Sequence, residues 1–358
     1  MNFKEFEELI NSGAKEIHLN ENVILDENEN YKKGIEIKTE CLVIDGNGYS
    51  IDAKNRAKAL NIQADKVTLK NLKFKKCVSN DGNGGGAIEN WGKDLSVKQC
   101  YFDNNHTNCY PGGGAICNFE NMNLESCTFE KNTSNDSDGG AIYTETFGYS
   151  PIKVVLKNCD FKNNCANGHF KDFGSNAGAI YNKNTNLFLF NCNFEDNGVV
   201  SAYISNSESI LNEEGFIILD NCCLKTRKSH SIFNNGIVIL NNSRFYHDFK
   251  RKFEIQGSIF NRGSAGLIHD EQGQYKVELN GRKLNNSNIK DLINEYKTVY
   301  YSDRNEERIF FKKNCINPIN DFKLDNYEDD EYLKSLIENN MVLISSGDYE
   351  DYNEFESN

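Results

Sequence analysis

Residues 85–105 read GGAIENWGKDLSVKQCYFDNN, and residues 113–132 repeat the pattern as GGAICNFENMNLESCTFEKN. Each stretch contains Gly-Ala-Ile, has Asn two residues later, and closes with Cys followed by F-x-x-N. Two further copies lie at residues 139–164 and 178–197, and Thr replaces the first Asn in one of them. Self-similarity at a fixed period indicates stacked units that are each too small to bury a core alone.

Each repeat contains three short apolar runs, which in the first copy are represented by Ile88, by Leu95 and Val97, and by Cys100 and Phe102. Alternation with a period of two over such short spans predicts half-buried strands. Between the second and third runs, the alternation of apolar residues shifts by one residue. Such a shift turns the opposite face of the strand inward, so the chain must bend there. In five repeats the residue at the slip is Asn, which tolerates left-handed turn geometry. These residues are Asn71, Asn158, Asn191, Asn221 and Asn242.

The repeats therefore predict an all-β solenoid, a right-handed single-stranded parallel β-helix of about eight coils. We assign residues 31–270 to the β-helix and residues 1–30 to an N-terminal amphipathic cap helix and a first strand. Residues 271–345 are expected to form a small α+β cap or appendage. Its predicted elements are helices over 288–296 and 329–340 and strands at 299–301 and 309–311. Residues 346–358 are expected to be a disordered acidic tail.

Composition excludes several classes of protein. The net charge of −13 argues against a nucleic-acid partner, because phosphate neutralisation needs clustered Lys and Arg. No apolar run is long enough to span a membrane as a helix. The N-terminus has no basic stretch leading into an apolar one, so the sequence predicts a cytoplasmic protein or a mature chain whose leader was removed.

The 12 cysteines do not indicate a disulfide framework or a zinc site, because there is no C-x-x-C pair. Five of them occupy one position of the repeat: Cys100, Cys127, Cys159, Cys192 and Cys222. We expect these to be buried free thiols that serve packing. The six His are scattered without metal-ligand spacing, so neither a metal nor another cofactor is predicted.

The paired signatures resemble the repeats of the polymorphic outer-membrane protein and adhesin-like families, within the wider pectate-lyase-like class of right-handed β-helices. The resemblance covers residues 55–265 and is clearest in the four central copies, although Ala177 stands where the other three have the first Gly. It implies a rod at the cell surface that serves adhesion or binding.

Enzymes that resemble this class carry carboxylates on one outward strand face, and hydrolysis needs two carboxyl groups at a defined separation. The candidates here are Asp103, Glu130 and Glu195, with Lys162 between the last two. The alternative is a solvated face whose charges alternate to relieve repulsion. No Arg lies between Arg56 and Arg227, which disfavours lyase chemistry in the central coils.

A binding surface is predicted from the residue after each buried Ile, which should point outward. Four aromatic residues at this position predict an exposed apolar strip: Tyr143, Tyr181, Phe233 and Phe260. If Ile204 belongs to the Ile column, Ser205 interrupts the strip. Such patches mark binding sites, and sugar rings pack on aromatic faces. The alternative is that the rings stack across strands or lie beneath a loop or the C-terminal region.

The leading hypothesis is a non-catalytic, adhesin-type β-helix that recognises a carbohydrate or a protein partner along one face. The alternative is a polysaccharide lyase or glycoside hydrolase of the pectate-lyase-like class. The second alternative is an intracellular structural or interaction protein. The sequence leaves the oligomeric state open.

Overall fold

The computed structural model describes residues 1–148, 150–168, 176–201, 209–226, 230–247, 259–261, 264–268 and 274–285, and the segments 292–295, 297–300, 307–310, 317–318 and 341–345. The chain winds into a right-handed parallel β-helix, as the repeats predict. Equivalent strands of successive coils pair in register and form rows along the rod.

The first row carries the Ile of each Gly-Ala-Ile signature. Its strands are Ile35–Ile37, Leu60–Ile62, Ile88–Asn90, Ile116–Asn118, Ile142–Glu145, Ile180–Lys183, the first halves of Ile210–Asp220 and Ile232–Asn241, then Ile259–Asn261 and Ile293–Glu295.

The second row carries the second apolar run. Its strands are Glu16–His18, Val43–Asp45, Thr68–Lys70, Leu95–Lys98, Met122–Glu125, Lys153–Lys157, Asn186–Phe190, the second halves of the two long strands, and Ser264–Ile268. Met341–Ser345 joins this row as an antiparallel strand and also pairs with Asn317–Pro318.

The third row carries the Cys and Phe residues. Its parallel strands are Val23–Ile24, Ser50–Asp52, Lys73–Lys75, Tyr101–Asp103, Thr128–Glu130, Asp160–Lys162, Asn193–Glu195, Cys223–Thr226, Ser243–His247 and Val277–Leu279. Arg282–Lys283 adds an antiparallel strand at its end. Ten parallel rungs in this row make the stack longer than the eight coils expected, because the less regular sequences at both ends also fold as coils.

A short fourth row follows the Asn of F-x-x-N, where the sequence predicted no strand. It consists of Val78–Ser79, His106–Thr107, Thr133–Asn135, Cys165–Gly168 and Gly198–Ser201. Strands of two to four residues are too short to show a periodic pattern, which is why the sequence does not reveal this row.

The Phe residues of the third row stack face to face inside the rod. The ring centroids of Phe74, Phe102, Phe129, Phe161 and Phe194 are separated in turn by 4.9, 4.6, 4.8 and 4.7 Å. Residues that share a position in the sequence repeat therefore also stack on one another in the structure. These rings are fully or almost fully buried and form the centre of the main core.

The Asn of F-x-x-N forms a buried ladder beside this stack. The Asn132 side chain accepts from the backbone N–H of Asn105 at 3.1 Å and from its side-chain amide at 2.9 Å. It donates to the carbonyl of Phe102 at 3.0 Å and to Oδ1 of Asn164 at 2.9 Å. Asn197 extends the same pattern. The motif thus satisfies backbone groups at a corner that would otherwise be buried without partners.

The predicted bend residues all have left-handed backbone geometry. Asn71, Asn158, Asn191, Asn221 and Asn242 have φ between 46° and 55°. Each of the five predicted cysteines directly follows a left-handed bend residue, which is Gln99 before Cys100 and Ser126 before Cys127, and all five thiols are free and buried. Burial raises the pKa of the Cys100 and Cys192 thiols, so these groups stay protonated packing elements.

The N-terminal cap helix is confirmed as Phe3–Ile10. Asn2 and Glu5 form a reciprocal capping box, and Phe3, Phe6 and Ile10 are buried. The helix covers the first coil, which would otherwise expose an unpaired edge.

The C-terminal region follows the predictions in part. Lys297–Tyr300 and Glu307–Phe310 form an antiparallel pair, close to the predicted strands. The helix predicted over 288–296 is wrong at its end, because Ile293–Glu295 pairs with the open edge of Ile259–Asn261. The helix predicted over 329–340 and the tail 346–358 lie outside the described residues. The domain limits remain predictions.

Candidate binding face

The predicted aromatic strip exists as a column but is not exposed. The parallel register aligns Tyr143 with Tyr181, then with Leu211, Phe233 and Phe260. Leu211, not Ser205, separates Tyr181 from Phe233, because Ile210 is the true member of the Ile column. Tyr143, Tyr181 and Phe233 are at most 6% exposed, so the expectation of an open strip was wrong. The side chain of Phe260 lies outside the described residues.

Stacking and hydrogen bonding occupy the two tyrosines. Their ring centroids are 5.2 Å apart in nearly parallel planes. The Tyr143 hydroxyl donates to Glu145 at 2.6 Å, and the Tyr181 hydroxyl donates to Glu213. The ring of Tyr110, from the loop before Gly114-Ala115-Ile116 in the preceding coil, lies edge-on to Tyr143 with 6.2 Å between the ring centroids. Cross-strand stacking beneath a loop, the alternative interpretation, describes these tyrosines correctly.

Further aromatic rings lie beyond this column, two residues after it in two coils and four residues after it in the third. Trp91 follows the strand Ile88–Asn90, Phe119 follows Ile116–Asn118, and Phe147 follows Ile142–Glu145. Trp91 is 40% exposed and Phe147 66% exposed, whereas Phe119 is buried. We call these three rings the aromatic platform. The sequence analysis missed them because it followed only the column directly after Ile, although Trp91 is the single tryptophan of the chain.

The three rings stack together. The ring centroid of Phe119 lies 4.1 Å from that of Trp91 and 5.1 Å from that of Phe147, with planes tilted by less than 30°. The planes of Trp91 and Phe147 are nearly parallel, at 13°, and their centroids are 6.3 Å apart. The platform is therefore a cluster of three stacked rings, of which Trp91 and Phe147 are open to solvent.

A buried ion network fixes the orientation of Trp91. The indole Nε1–H donates to Oε1 of Glu89 at 2.7 Å. The other oxygen of Glu89 accepts from the ammonium of Lys58, which also contacts Asp81 at 3.3 Å. All three charged side chains are at most 5% exposed. Because these side chains are buried and bonded to one another, the indole is held in place before any ligand arrives.

A second charged group borders the platform on the next coils. The Lys183 ammonium lies 3.1 Å from Oε1 of Glu145, which also accepts from Tyr143. Glu213 is the register partner of Lys183 and accepts from Tyr181. The platform is thus bounded on both sides by carboxylates that outnumber the lysines.

The proposed catalytic carboxylates do share a column. The register runs from Asp103 through Glu130 and Lys162 to Glu195. Hydrogen bonds from the Tyr101 hydroxyl and the Lys131 ammonium lower the pKa of Glu130. A general acid needs a raised pKa, so Glu130 lacks the property that this role requires. Glu195 is half exposed and pairs with Lys225 at 3.4 Å. Alternating charges on a solvated face describe this column best.

Asp138 is a buried carboxylate behind the tyrosine column. Its Oδ1 accepts from the backbone and side-chain amides of Asn176 at 2.8 and 3.0 Å. Burial raises its pKa to about 7, with Glu213 adding to the rise and Lys183 opposing it.

The pKa of Asp138 in the folded state exceeds its ordinary value of 3.8. Between these two values the folded chain keeps a proton on this carboxyl group, whereas the unfolded chain has lost it. The stability that this proton contributes is therefore complete below about pH 4 and is lost as the pH rises through 7. Asp138→Asn keeps the acceptor oxygen without the charge. We expect it to raise the free energy of unfolding on the order of 2 kcal/mol at pH 8 and to change little at pH 4. Urea denaturation at both pH values measures this, and an equal effect at each would contradict the assignment.

Two further observations concern the described residues alone. Within them, no group of three His, Cys, Asp or Glu side chains is arranged to hold a metal ion. None of their helices combines the length and apolarity needed to cross a bilayer.

The architecture and its repeats define the class of this protein as the right-handed parallel β-helix proteins. Residues 126–145 match the Chlamydia polymorphic membrane protein repeat. A probable autotransporter of Escherichia coli K12, YfaL, is 29% identical over 178 residues. That match covers 47% of this chain and 13% of the relative, so the chain corresponds to a small part of that protein. No solved structure matches. The repeats thus resemble those of the polymorphic outer-membrane and adhesin-like families, as the sequence indicated.

Proposed function

We propose that this chain is a non-catalytic, adhesin-type binding rod that recognises a carbohydrate or protein partner through the aromatic platform. The observation that carries the proposal is the pair of exposed, nearly parallel rings of Trp91 and Phe147, which stack with the buried Phe119. Exposed apolar surface at a fixed position on a rigid scaffold is typical of a recognition site. The similarity to a probable autotransporter and to a polymorphic membrane protein repeat supports a location at the cell surface.

The rigidity of the platform favours binding. Phe119 stacks with both exposed rings, and Glu89 accepts a hydrogen bond from the indole. A preorganised aromatic anchor loses little side-chain entropy when a partner docks. The partner therefore gains contact with a surface that needs no rearrangement.

Removing both exposed rings should abolish recognition. We expect Trp91→Ala with Phe147→Ala to weaken binding at least about 30-fold, since each central aromatic contributes about 1–2 kcal/mol or more. The probes are a glycan array and a panel of extracellular-matrix proteins, presented to the purified chain.

The matched control is Tyr49→Ala, which removes an aromatic ring of similar exposure, 37%, at a distant coil. It should leave binding unchanged. Circular dichroism should show that both variants keep the β-helix, because the removed rings are at the surface. If the double variant binds the same probes as tightly as the parent chain, the platform is not the recognition site.

A further inference from the structure

The charge around the aromatic platform is negative. On one side Glu89 and Asp81 face a single Lys58, and on the other Glu145 and Glu213 face a single Lys183. Each group therefore carries an excess of one negative charge. Because these side chains are largely buried, salt screens their field less than it screens surface charges. A ligand with its own carboxylate or sulfate would be repelled.

The shape of the platform restricts the ligand further. Its two exposed rings have nearly parallel planes and centroids 6.3 Å apart, so they present two neighbouring flat apolar surfaces. The strand Ile116–Asn118 beneath them is paired on both sides, by Ile88–Asn90 and by Ile142–Glu145, and offers no free edge to an extended peptide. The surface suits a ligand that is itself flat, apolar on one face and repeated at the spacing of the rings.

From these two observations we infer that the platform binds a neutral glycan through two consecutive pyranose rings with flat C–H faces. This inference rests on the proposed function and names its ligand class. Gluco-configured sugars in β-linkage have this geometry, since their ring substituents lie near the ring plane and leave the faces apolar. One ring stacks on Trp91 and the next on Phe147. Uronic-acid polymers share the ring shape but carry a charge on every residue, which the surrounding carboxylates disfavour.

Trp91 itself reports the binding event. It is the only tryptophan among the 358 residues, so intrinsic tryptophan emission comes from the platform alone. We expect cellohexaose to change this emission with a saturable dependence on concentration. Hexagalacturonate has the same number of sugar residues but carries a carboxylate on each of them. It should produce no saturable change in emission over the same concentration range at low ionic strength.

The variant Phe147→Ala keeps the fluorescent reporter and removes one stacking ring. It should weaken the affinity for cellohexaose about 10-fold, in line with the loss of one aromatic contact. Phe147→Tyr should restore the affinity, because it restores a flat ring. Tyr49→Ala should have no effect.

Several results would overturn the inference: hexagalacturonate binding as tightly as cellohexaose, no response to cellohexaose, or full affinity in Phe147→Ala. The binding of the double variant to its array or protein-panel ligands tests the proposed function separately. If the double variant loses its array or protein-panel ligands while cellohexaose never binds, the platform is a recognition site and only the glycan assignment fails. If the double variant keeps those ligands, the proposed function fails as well.

Discussion

Replacing Asn132 by Ala is expected to lower the free energy of unfolding by about 3–5 kcal/mol. The substitution deletes four hydrogen bonds in the centre of the rod. It leaves the backbone N–H of Asn105 buried without its partner, and such a group costs about 1–3 kcal/mol in addition to the lost hydrogen bonds. The urea midpoint, followed by circular dichroism, measures the loss.

The chain offers a matched control for this prediction in Asn135. Its side chain also belongs to an Asn ladder, since it donates to Asn108 at 2.7 Å and accepts from Asn167 at 3.1 Å. That ladder is on the outside of the fourth row, where water can replace every lost bond. Asn135→Ala should therefore cost less than about 1 kcal/mol. Equal destabilisation by the two substitutions would show that the buried ladder is not what holds the coils in register.

The contrast between these two ladders explains how much of the fold the sequence predicts. Phe129 and Asn132 recur at one position in coil after coil, so their stacking follows from the repeat alone. The bends at Asn71 and its equivalents follow from the parity slip in the same way. Side chains that repeat at one position of the sequence therefore also meet in the structure, and these contacts were predictable. The fourth row also recurs, but its strands of two to four residues are too short to be recognised from the sequence.

The binding face was predicted less well because its decisive residues do not repeat. Tyr143 and Tyr181 do repeat, and their column was found, but their burial depends on Tyr110 and other loop residues that differ between coils. Phe147 belongs to an insertion after one strand only, and no alignment of repeats draws attention to it. The orientation of Trp91 depends on Lys58 and Glu89, two charged residues that a hydrophobic pattern treats as solvent-exposed.

Lys58→Met should destabilise the rod by about 3–5 kcal/mol near neutral pH, because it leaves two buried carboxylates without their counter-charge. Met preserves the length of the side chain and removes only the ammonium group. Lys38→Met is the control, since the Lys38 side chain is 70% exposed and pairs with Glu36 at the surface. It should cost less than about 0.5 kcal/mol.

A second substitution tests the electrostatic origin of this loss. In Lys58→Met, the carboxylates of Glu89 and Asp81 stay buried without a counter-charge. Adding Glu89→Gln removes one of these two charges and keeps a similar side-chain volume, so it should recover part of the lost stability. The urea midpoints of the single and double variants measure the recovery. No recovery in the double variant would assign the loss to packing. Because Glu89 also accepts the indole N–H of Trp91, the variant should shift tryptophan emission in the folded state. The ion network would thereby be shown to control the surface on which the proposed ligand stacks.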